Sequence, residues 1–298
     1  MLYHEDVDIP SDGLGIEDTE EMRRLARLLQ DGGVFVLTGA GCSTESGIPD
    51  YRDIDGNWKR RQPVRYQDFI RSDAVRRRYW GRSFFGWPQI AGAMPNRAHL
   101  ALAQLERSQH VHFLVTQNVD GLHQKAGSRC VLDLHGCMDH VVCLACKARI
   151  PRLEFQERLR DANPHWDGRG AIYAPDGDVD LEGVDFSAFQ VPCCRQCSGM
   201  LKPEVVFFGE NVPPERVHDA LQQLCRSNAL LVVGSSLMVW SGFRFVKAAR
   251  ESGLPVAAVN LGRTRADDLL DFKLSTRCGD VLSWMAEQLV PSSRVKAR

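Results

Sequence analysis

Phe35-Val36-Leu37-Thr38-Gly39-Ala40-Gly41-Cys42-Ser43-Thr44-Glu45-Ser46-Gly47-Ile48-Pro49-Asp50-Tyr51-Arg52 begins as an apolar run, turns abruptly into small residues and continues as a polar loop. The run reads as a buried strand. With no Cβ at Gly39 and Gly41, backbone N–H groups can approach a phosphate closely. A dinucleotide is the ligand such a turn suits. The usual dinucleotide fingerprint has glycine at a third position, where this chain has Thr44. Read alone, the stretch fits either a phosphate cradle or a plain structural turn.

The flanking sequence supplies the architecture. Glu20–Gln30 carries Met22, Leu25, Leu28 and Leu29 at helical spacing, and Gly32-Gly33 can stop that helix. Val34–Leu37 is then a short strand. Ala98–Leu105 reads as a helix and His112–Val115 as a strand. Toward the C-terminus, helix Pro214–Cys225, strand Ala229–Val233, helix Gly242–Arg250 and strand Val256–Val259 follow, and Gly279-Asp280 can cap a last helix, Val281–Leu289. This alternation predicts an α/β fold: a Rossmann-like, doubly wound, mainly parallel sheet covered on both faces. It breaks between about Asp139 and Lys202, where the chain becomes rich in cysteine and proline and looks irregular. The expected organisation is a discontinuous domain from residues 16–138 and 203–290, a small inserted domain at 139–202, and flexible termini at 1–15 and 291–298.

Composition narrows the class. The chain has 298 residues, 44% hydrophobic and 25% charged, with a formal net charge of −1. That balance predicts no nucleic-acid or membrane partner. The clusters Lys59-Arg60-Arg61 and Arg76-Arg77-Arg78 read as solvated faces. No apolar run approaches the ~18 residues of a membrane span. The acidic start, Met1 to Asp8, lacks a signal or transit layout, so the expected location is cytoplasmic. In that compartment ten cysteines suggest metal ligands or buried thiols rather than disulfides.

Cys143-Leu144-Ala145-Cys146 and Cys194-Arg195-Gln196-Cys197 are two C-x₂-C knuckles. Two such turns can complete a tetrahedral Zn²⁺ site, and four cysteines leave no open position, which makes the metal structural. Their separation exceeds the roughly 15–20 residues of compact ribbons; loop closure, however, costs only slowly more with length. The alternative is four reduced, partly buried thiols. Cys193 is read as a bystander, and Cys42, Cys130, Cys137, Cys225 and Cys278 as small buried side chains.

Polar residues gather at the predicted strand ends. After His112–Val115 come Gln117, Asn118 and Asp120, able to hydrogen-bond an amide and ribose hydroxyls, or simply to cap a turn. Leu132-Asp133-Leu134-His135-Gly136 ends another apolar stretch, and His135 fits a general base or a structural imidazole. Gly234-Ser235-Ser236 and Asn260-Leu261-Gly262 end two more strands. Three such turns on one sheet edge suit an extended ligand.

Taken in order, these motifs resemble the sirtuins, the NAD⁺-dependent protein-lysine deacylases. The matching pieces are Gly39-Ala40-Gly41 with Ser43, Gly47 to Arg52, Thr116 to Asp120, Leu134-His135-Gly136, both cysteine pairs, Lys202 to Glu210, Gly234-Ser235-Ser236 and Asn260. The resemblance covers about Leu25 to Leu289. Arg78-Tyr79-Trp80, Gly86-Trp87-Pro88, Ala174 to Val179 and Asp267-Asp268-Leu269 are similar to the class II branch, which holds the mitochondrial member known for lipoamidase and ADP-ribosyltransfer activity; this chain looks like a bacterial-type relative. The Ala-Tyr-x-x-Arg setting of succinyl-removing members is missing from Asp53 to Lys59.

The resemblance implies NAD⁺ as co-substrate and one structural Zn²⁺ on Cys143, Cys146, Cys194 and Cys197. NAD⁺ would lie across Gly39, Ala40 and Gly41, with Ser43 or Ser235 near its pyrophosphate. Thr44, Pro49, Asp50, Tyr51, Arg52, Gly234, Ser236 and Gly262 would border the nucleotide. Asn118 and Asp120 would surround the nicotinamide end, Gln117 its ribose, Asn260 the adenosine ribose and Cys278 the adenine. An acyl-lysine protein or peptide would pair as a strand with Val206, Phe207, Phe208, Gly209 and Glu210. The acyl oxygen would attack the ribose carbon bearing nicotinamide, and His135 would then deprotonate a ribose hydroxyl. The products would be nicotinamide, free lysine and O-acyl-ADP-ribose. Protein ADP-ribosyltransfer, a non-catalytic NAD⁺ sensor and a zinc-ribbon nucleic-acid binder are the competing readings.

Overall fold

Residues 19–59, 62–166, 172–173, 179–180 and 184–290 are described in the computed structural model. The strands of its main sheet are β1 (Val34–Thr38), β2 (Val111–Thr116) and β3 (Val131–Asp133), followed late in the chain by β9 (Ala229–Val233), β10 (Val256–Val259) and β11 (Phe272–Leu274). Between them lie β4 (Gly136–Cys143), β5 (Arg149–Pro151), the two-residue strands β6 (Ile172–Tyr173) and β7 (Val179–Asp180), and β8 (Leu201–Val205). The helices are α1 (Glu20–Gln30), α2 (Tyr66–Arg71), α3 (Asp73–Gly92), α4 (Arg97–Arg107), α5 (Leu122–Lys125), α6 (Arg152–Ala162), α7 (Pro214–Cys225), α8 (Trp240–Glu251) and α9 (Cys278–Leu289). Among the described residues, no helix is long and apolar enough to cross a membrane.

The main sheet runs β11-β10-β9-β1-β2-β3, and every pair is parallel. All residues of β1, β9 and β10 are buried. Continuous apolar runs rather than alternating ones are what strands covered on both faces require. On one face pack Met22, Leu25 and Leu29 of α1, Leu102 and Leu105 of α4, and Val281, Leu282 and Met285 of α9. On the other pack Ala220 and Leu224 of α7 and Phe245, Val246 and Ala249 of α8. The chain leaves β1 toward β2 on one side and returns to its other side only at β9. The crevice of an open α/β sheet forms at the carboxyl end of such a switch point.

Local signals explain several boundaries. Thr19 caps α1 by accepting the Met22 N–H at 3.2 Å, and Gly32 and Gly33 take φ of 71° and 68° just past its end. Asn96 opens α4 through a capping box closed by His99. One expectation is corrected. Gly279 and Asp280 do not cap the last helix, because it already starts at Cys278 with Arg277 as its N-cap residue. Asp280 sits in the first turn, where a negative charge suits the helix dipole, and bonds Arg97 at 2.6 Å.

The cysteine-rich stretch is more regular than its composition suggests. β5, β4 and β8 form an antiparallel sheet, backed by α6. Its core joins Met138, Val141, Phe155, Leu159 and Leu201 to Phe69, Tyr79 and Trp80 from α2 and α3, so residues far upstream complete it. Arg76 and Arg77 of α3 both bond Asp73, at 3.3 and 2.6 Å, within their own helix. Gly136 is fixed by the sheet: it has φ +81°, and a Cβ there would lie 2.1 Å from the Glu204 carbonyl oxygen. Arg60, Arg61 and the class II-like stretch 174–178 lie outside the described residues.

Candidate active site

A cavity of about 800 Å³ opens at the carboxyl ends of β1, β2, β9 and β10. The loop after β1 contributes Gly39, Ala40, Gly41, Ser43 and Thr44, and further along Asp50, Tyr51 and Arg52. The β9 loop brings Gly234, Ser235 and Ser236, the β10 loop Asn260 and Gly262, and the start of α9 Cys278. From the other side come Gln117, Asn118, Asp120 and His135, with Val206 to Glu210 along the rim. Of the residues expected around this ligand, Pro49 alone is not on the wall.

The glycines of the first loop answer to a second loop. Gly39 and Gly41 donate their N–H groups to the carbonyls of Val233 and Gly234, at 3.0 and 2.8 Å. A Cβ on Gly41 would stand 2.9 Å from the Gly234 oxygen, and one on Gly234 would stand 2.3 Å from the Cys42 nitrogen. Gly234 also has φ +59°. These amides are bonded within the protein, so what the two loops present to the cavity at these positions is close-packed backbone with no side chains.

Beside this floor lies a buried polar network. Ser43 donates to Asp120 Oδ2 at 2.8 Å, and Asn118 Nδ2 donates to Ser43 Oγ at 3.0 Å and to the Gly39 carbonyl at 3.1 Å. The Leu122 N–H reaches Asp120 Oδ1 at 2.9 Å. Burial pushes the Asp120 carboxyl up, while the bonds from Leu122 and Ser43 pull it back. Asp120 thus caps a turn and faces the cavity at once.

His135 follows β3, and Nδ1 lies 2.9 Å from the Gln117 carbonyl. A carbonyl only accepts, so Nδ1 carries the proton and Nε2 is the lone pair. Ser241 Oγ, at the start of α8, donates to that lone pair at 2.8 Å. Burial lowers the imidazole to about 4, and the Gln117 carbonyl opposes this only in part. The side chain is therefore neutral at physiological pH, with its basic nitrogen at the cavity wall. Gln117 is held in turn by Ser235, whose hydroxyl donates to Oε1 at 2.6 Å.

The rim segment divides its two phenylalanines. Phe207 is buried against Phe69 and Tyr79, each with ring centroids 5.1 Å away. Phe208 joins Tyr51 and Trp58 in an edge-on cluster, at 6.0 and 5.5 Å. The Val206 N–H bonds the His135 carbonyl at 2.7 Å, and Glu210 accepts from Lys202 at 3.0 Å. Asp50 pairs with Lys59, Arg52 stacks 4.1 Å over Trp58, and Asn260 bonds the Gly262 carbonyl at 2.7 Å. Burial raises the Cys278 thiol to about 12.

Ser241 and Arg244 also line the cavity and were not singled out from the sequence; a lone serine near a helix start carries no motif. Ile54, Val239, Trp240 and Leu261 line it too, although all four are exposed large apolar side chains. An isoleucine between two aspartates, Asp53-Ile54-Asp55, was the available signal.

The four knuckle cysteines meet. Their sulfurs lie within 4.8 Å of one another, with Cys143–Cys197 at 3.5 Å and Cys146–Cys194 at 3.7 Å. Sulfurs around a tetrahedral zinc stand about 3.8 Å apart. A Cβ on Gly199 would come 2.8 Å from Cys143 Sγ, so glycine there leaves the cluster its room. The donor set fits structural zinc. Cys193 is exposed and outside the cluster, while Cys42 and Cys278 are buried. Cys130 and Cys225 are exposed and Cys137 is half-buried, which corrects their reading as buried side chains. Cys225 ends α7, and Cys130 precedes an edge strand.

A doubly wound sheet whose strand ends enclose a cavity with both polar and apolar walls of this kind marks a nucleotide-binding α/β protein. A family profile described as the Sir2 family matches residues 39–241, and the chain belongs to that family, the sirtuins. "NAD-dependent protein deacetylase 2" of Bradyrhizobium diazoefficiens is 58% identical over 252 residues, covering 85% of this chain and 92% of the relative. "NAD-dependent protein lipoamidase sirtuin-4, mitochondrial" of Bos taurus is 49% identical over 276 residues, covering 92% and 87%. That match agrees with the class II resemblance. A solved structure described as "Sir2-p53 peptide-NAD+" is 29% identical with a TM-score of 0.73, covering 90% of this chain and 98% of the other.

Proposed function

We propose that the protein is an NAD⁺-dependent protein-lysine deacylase acting on acyl-lysine proteins or peptides, with His135 as general base. One observation carries the reading: a neutral imidazole, the Ser43–Asn118–Asp120 network and the rim segment Val206 to Glu210 share one cavity. NAD⁺ would supply the electrophilic ribose carbon and the nicotinamide leaving group. Asn118 and Asp120 then hold the nicotinamide end, Gln117 its ribose, and Asn260 the adenosine ribose. Ser43 or Ser235 turns a hydroxyl to the pyrophosphate. Val206 to Glu210 offer backbone to the peptide, and Phe208 is an apolar wall for the acyl chain. His135 takes a ribose hydroxyl proton at Nε2 while Nδ1–H stays on the Gln117 carbonyl. The cysteine module would hold its zinc for structure alone. The enzyme is assigned to the cytoplasm.

The test is NAD⁺-dependent nicotinamide formation with acetyl, longer aliphatic, biotinyl and lipoyl lysine peptides. Peptide-dependent release is expected, and silence across the whole panel refutes the proposal. The relatives at 58% and 49% identity are named a deacetylase and a lipoamidase, so acetyl and lipoyl peptides are the two decisive members of the panel.

Two results follow from the geometry at His135. Ser241→Ala removes the hydroxyl that holds the imidazole, and kcat should fall about 3–10-fold, the scale of one hydrogen bond, with KM little changed. Steady-state rates check this; an unaltered kcat dismisses the role. The second concerns pH. Burial sets the folded His135 below the 6.5 of a free imidazole, at about 4. Between these values the unfolded chain binds a proton that the folded one does not, so this contribution to stability is full above pH 6.5 and is lost as pH falls toward 4. The melting temperature of the wild type should therefore drop more steeply over that window than that of His135→Ala. Parallel curves would contradict the assignment.

A further inference from the structure

Beneath the cavity floor lies a second cluster of metal-binding groups. The Cys42 sulfur and one ring nitrogen each of His99 and His123 lie within 4.8 Å of one another, and all three residues are buried. The two rings pack with centroids 4.7 Å apart. Each residue also has a structural contact: His99 closes the α4 capping box, His123 meets Thr38, and Cys42 packs in the core of the sheet.

The hydrogen bonds show how the two imidazoles are presented. Thr38 Oγ1 gives its own proton to Thr116 Oγ1 at 2.8 Å. It can therefore only accept from His123 Nε2, 2.9 Å away. That leaves His123 Nδ1 as a bare lone pair, and this atom is buried with no hydrogen-bond partner. His99 Nδ1 receives the Asn96 N–H at 3.2 Å and lies 2.9 Å from the Asn96 side-chain oxygen, while its Nε2, which carries the proton, has only a long contact, 3.4 Å, to Ser43 Oγ, whose own proton goes to Asp120. His123 thus offers a free lone pair, and His99 offers one at Nε2 once its proton moves to Nδ1, where the Asn96 side-chain oxygen can accept it. Metal-ligating histidines are oriented in this way, the outer N–H on an oxygen fixing the ring while the inner lone pair meets the ion. An orphaned buried acceptor is costly for a fold to retain, and a cation would satisfy it.

We propose that Cys42, His99 and His123 form a second metal site, distinct from the four-cysteine cluster, for a thiophilic divalent cation such as Zn²⁺ or Co²⁺. On binding, the Cys42 S–H bond breaks, its proton passes to solvent, and the thiolate forms the metal–sulfur bond as the ion sheds water. Around a tetrahedral ion such ligand atoms stand about 3.3–3.7 Å apart, inside the 4.8 Å that contains the three here, so occupancy fixes their spacing. Three protein ligands leave a fourth position open. Occupancy reaches the cavity directly. Cys42 lies between Gly41 and Ser43, both on its wall, and Ser43 is the residue that holds Asp120 and contacts His99. Holding Cys42 and His99 on an ion displaces Ser43, so a filled site inhibits whatever reaction the cavity performs.

The experiment uses the full chain with its cysteine cluster loaded. Metal analysis after gel filtration from excess Zn²⁺ should give two ions per wild-type chain and one for Cys42→Ala. With Co²⁺ at the second site, the wild type should show a thiolate charge-transfer band that Cys42→Ala lacks. Nicotinamide release should fall as the second ion binds, recover on mild chelation, and stay insensitive in Cys42→Ala. Cys42→Val fills the same space without a ligand and replaces the alanine variant if that one fails to fold. One ion in the wild type, or equal loading in wild type and variant, overturns the site, whatever the enzyme's activity proves to be. A second ion that leaves turnover untouched overturns the inhibitory coupling.

Discussion

Replacing His135 by alanine should lower the rate of nicotinamide formation by about 10²–10⁴-fold, the range that a positioned general base contributes, while the protein remains folded and loaded with zinc. The imidazole reaches the cavity from the end of β3, and its two polar contacts are to the Gln117 carbonyl and the Ser241 hydroxyl. Both partners line the cavity beside it, so water entering the gap can replace the lost ring. The backbone around it is held independently, since the Leu134 N–H bonds the Thr116 carbonyl at 2.9 Å and the His135 carbonyl keeps Val206. The loss should therefore fall on kcat, with nucleotide affinity by calorimetry and the circular dichroism spectrum retained. A purified His135→Ala protein turning over at the wild-type rate would remove His135 from the reaction.

Cys143→Ser should fail in a different way. Cys143 is fully buried, ends β4 and belongs both to the sulfur cluster and to the small module's apolar core. Structural zinc commonly contributes about 10–16 kcal/mol to the folding of small modules, and three thiolates hold it far less well than four. Bound zinc should fall from one per chain toward none, and the melting temperature should drop by on the order of 10 °C. Activity should go as well, because β8 leaves this sheet and runs straight into Val206 to Glu210. Unchanged metal content and melting temperature would show that the four thiols do not hold the ion.

Much of the sheet is legible in the sequence because its strands are buried on both faces. Val34 to Leu37, Ala229 to Val233 and Val256 to Val259 have no polar residue to blur them, and α1 carries its cap, its apolar stripe and its stop within a few residues. Helix α3 is not legible. It buries Tyr79, Trp80, Gly81, Ser83 and Gly86, holds Pro88 and opens with an arginine run, so no apolar stripe advertises it. It is helical because the small module supplies a partner for its aromatic side. β4 and β8 are hidden for other reasons: the eight residues of β4 alternate only loosely between buried and exposed, and the five of β8 carry Pro203 at their centre. At the cavity, residues that end strands announce themselves through glycine, amide and hydroxyl groups. Ser241 does not, since its relevance is only that α8 starts beside His135. Nor can composition separate Phe207 from Phe208, whose difference lies in which core each neighbours.

The placement of β1 governs when the cavity comes into being. Val34 lies opposite Val111 on one side and Ala229 on the other, so one of its two ladders waits for a strand made far later. Pairings this remote close slowly and set the pace of folding. A nascent chain released before Val233 has the first glycine loop but not the Gly234 backbone that seats it. Ligand competence should thus appear in one step near the end of synthesis, and C-terminal truncations should be silent rather than partly active.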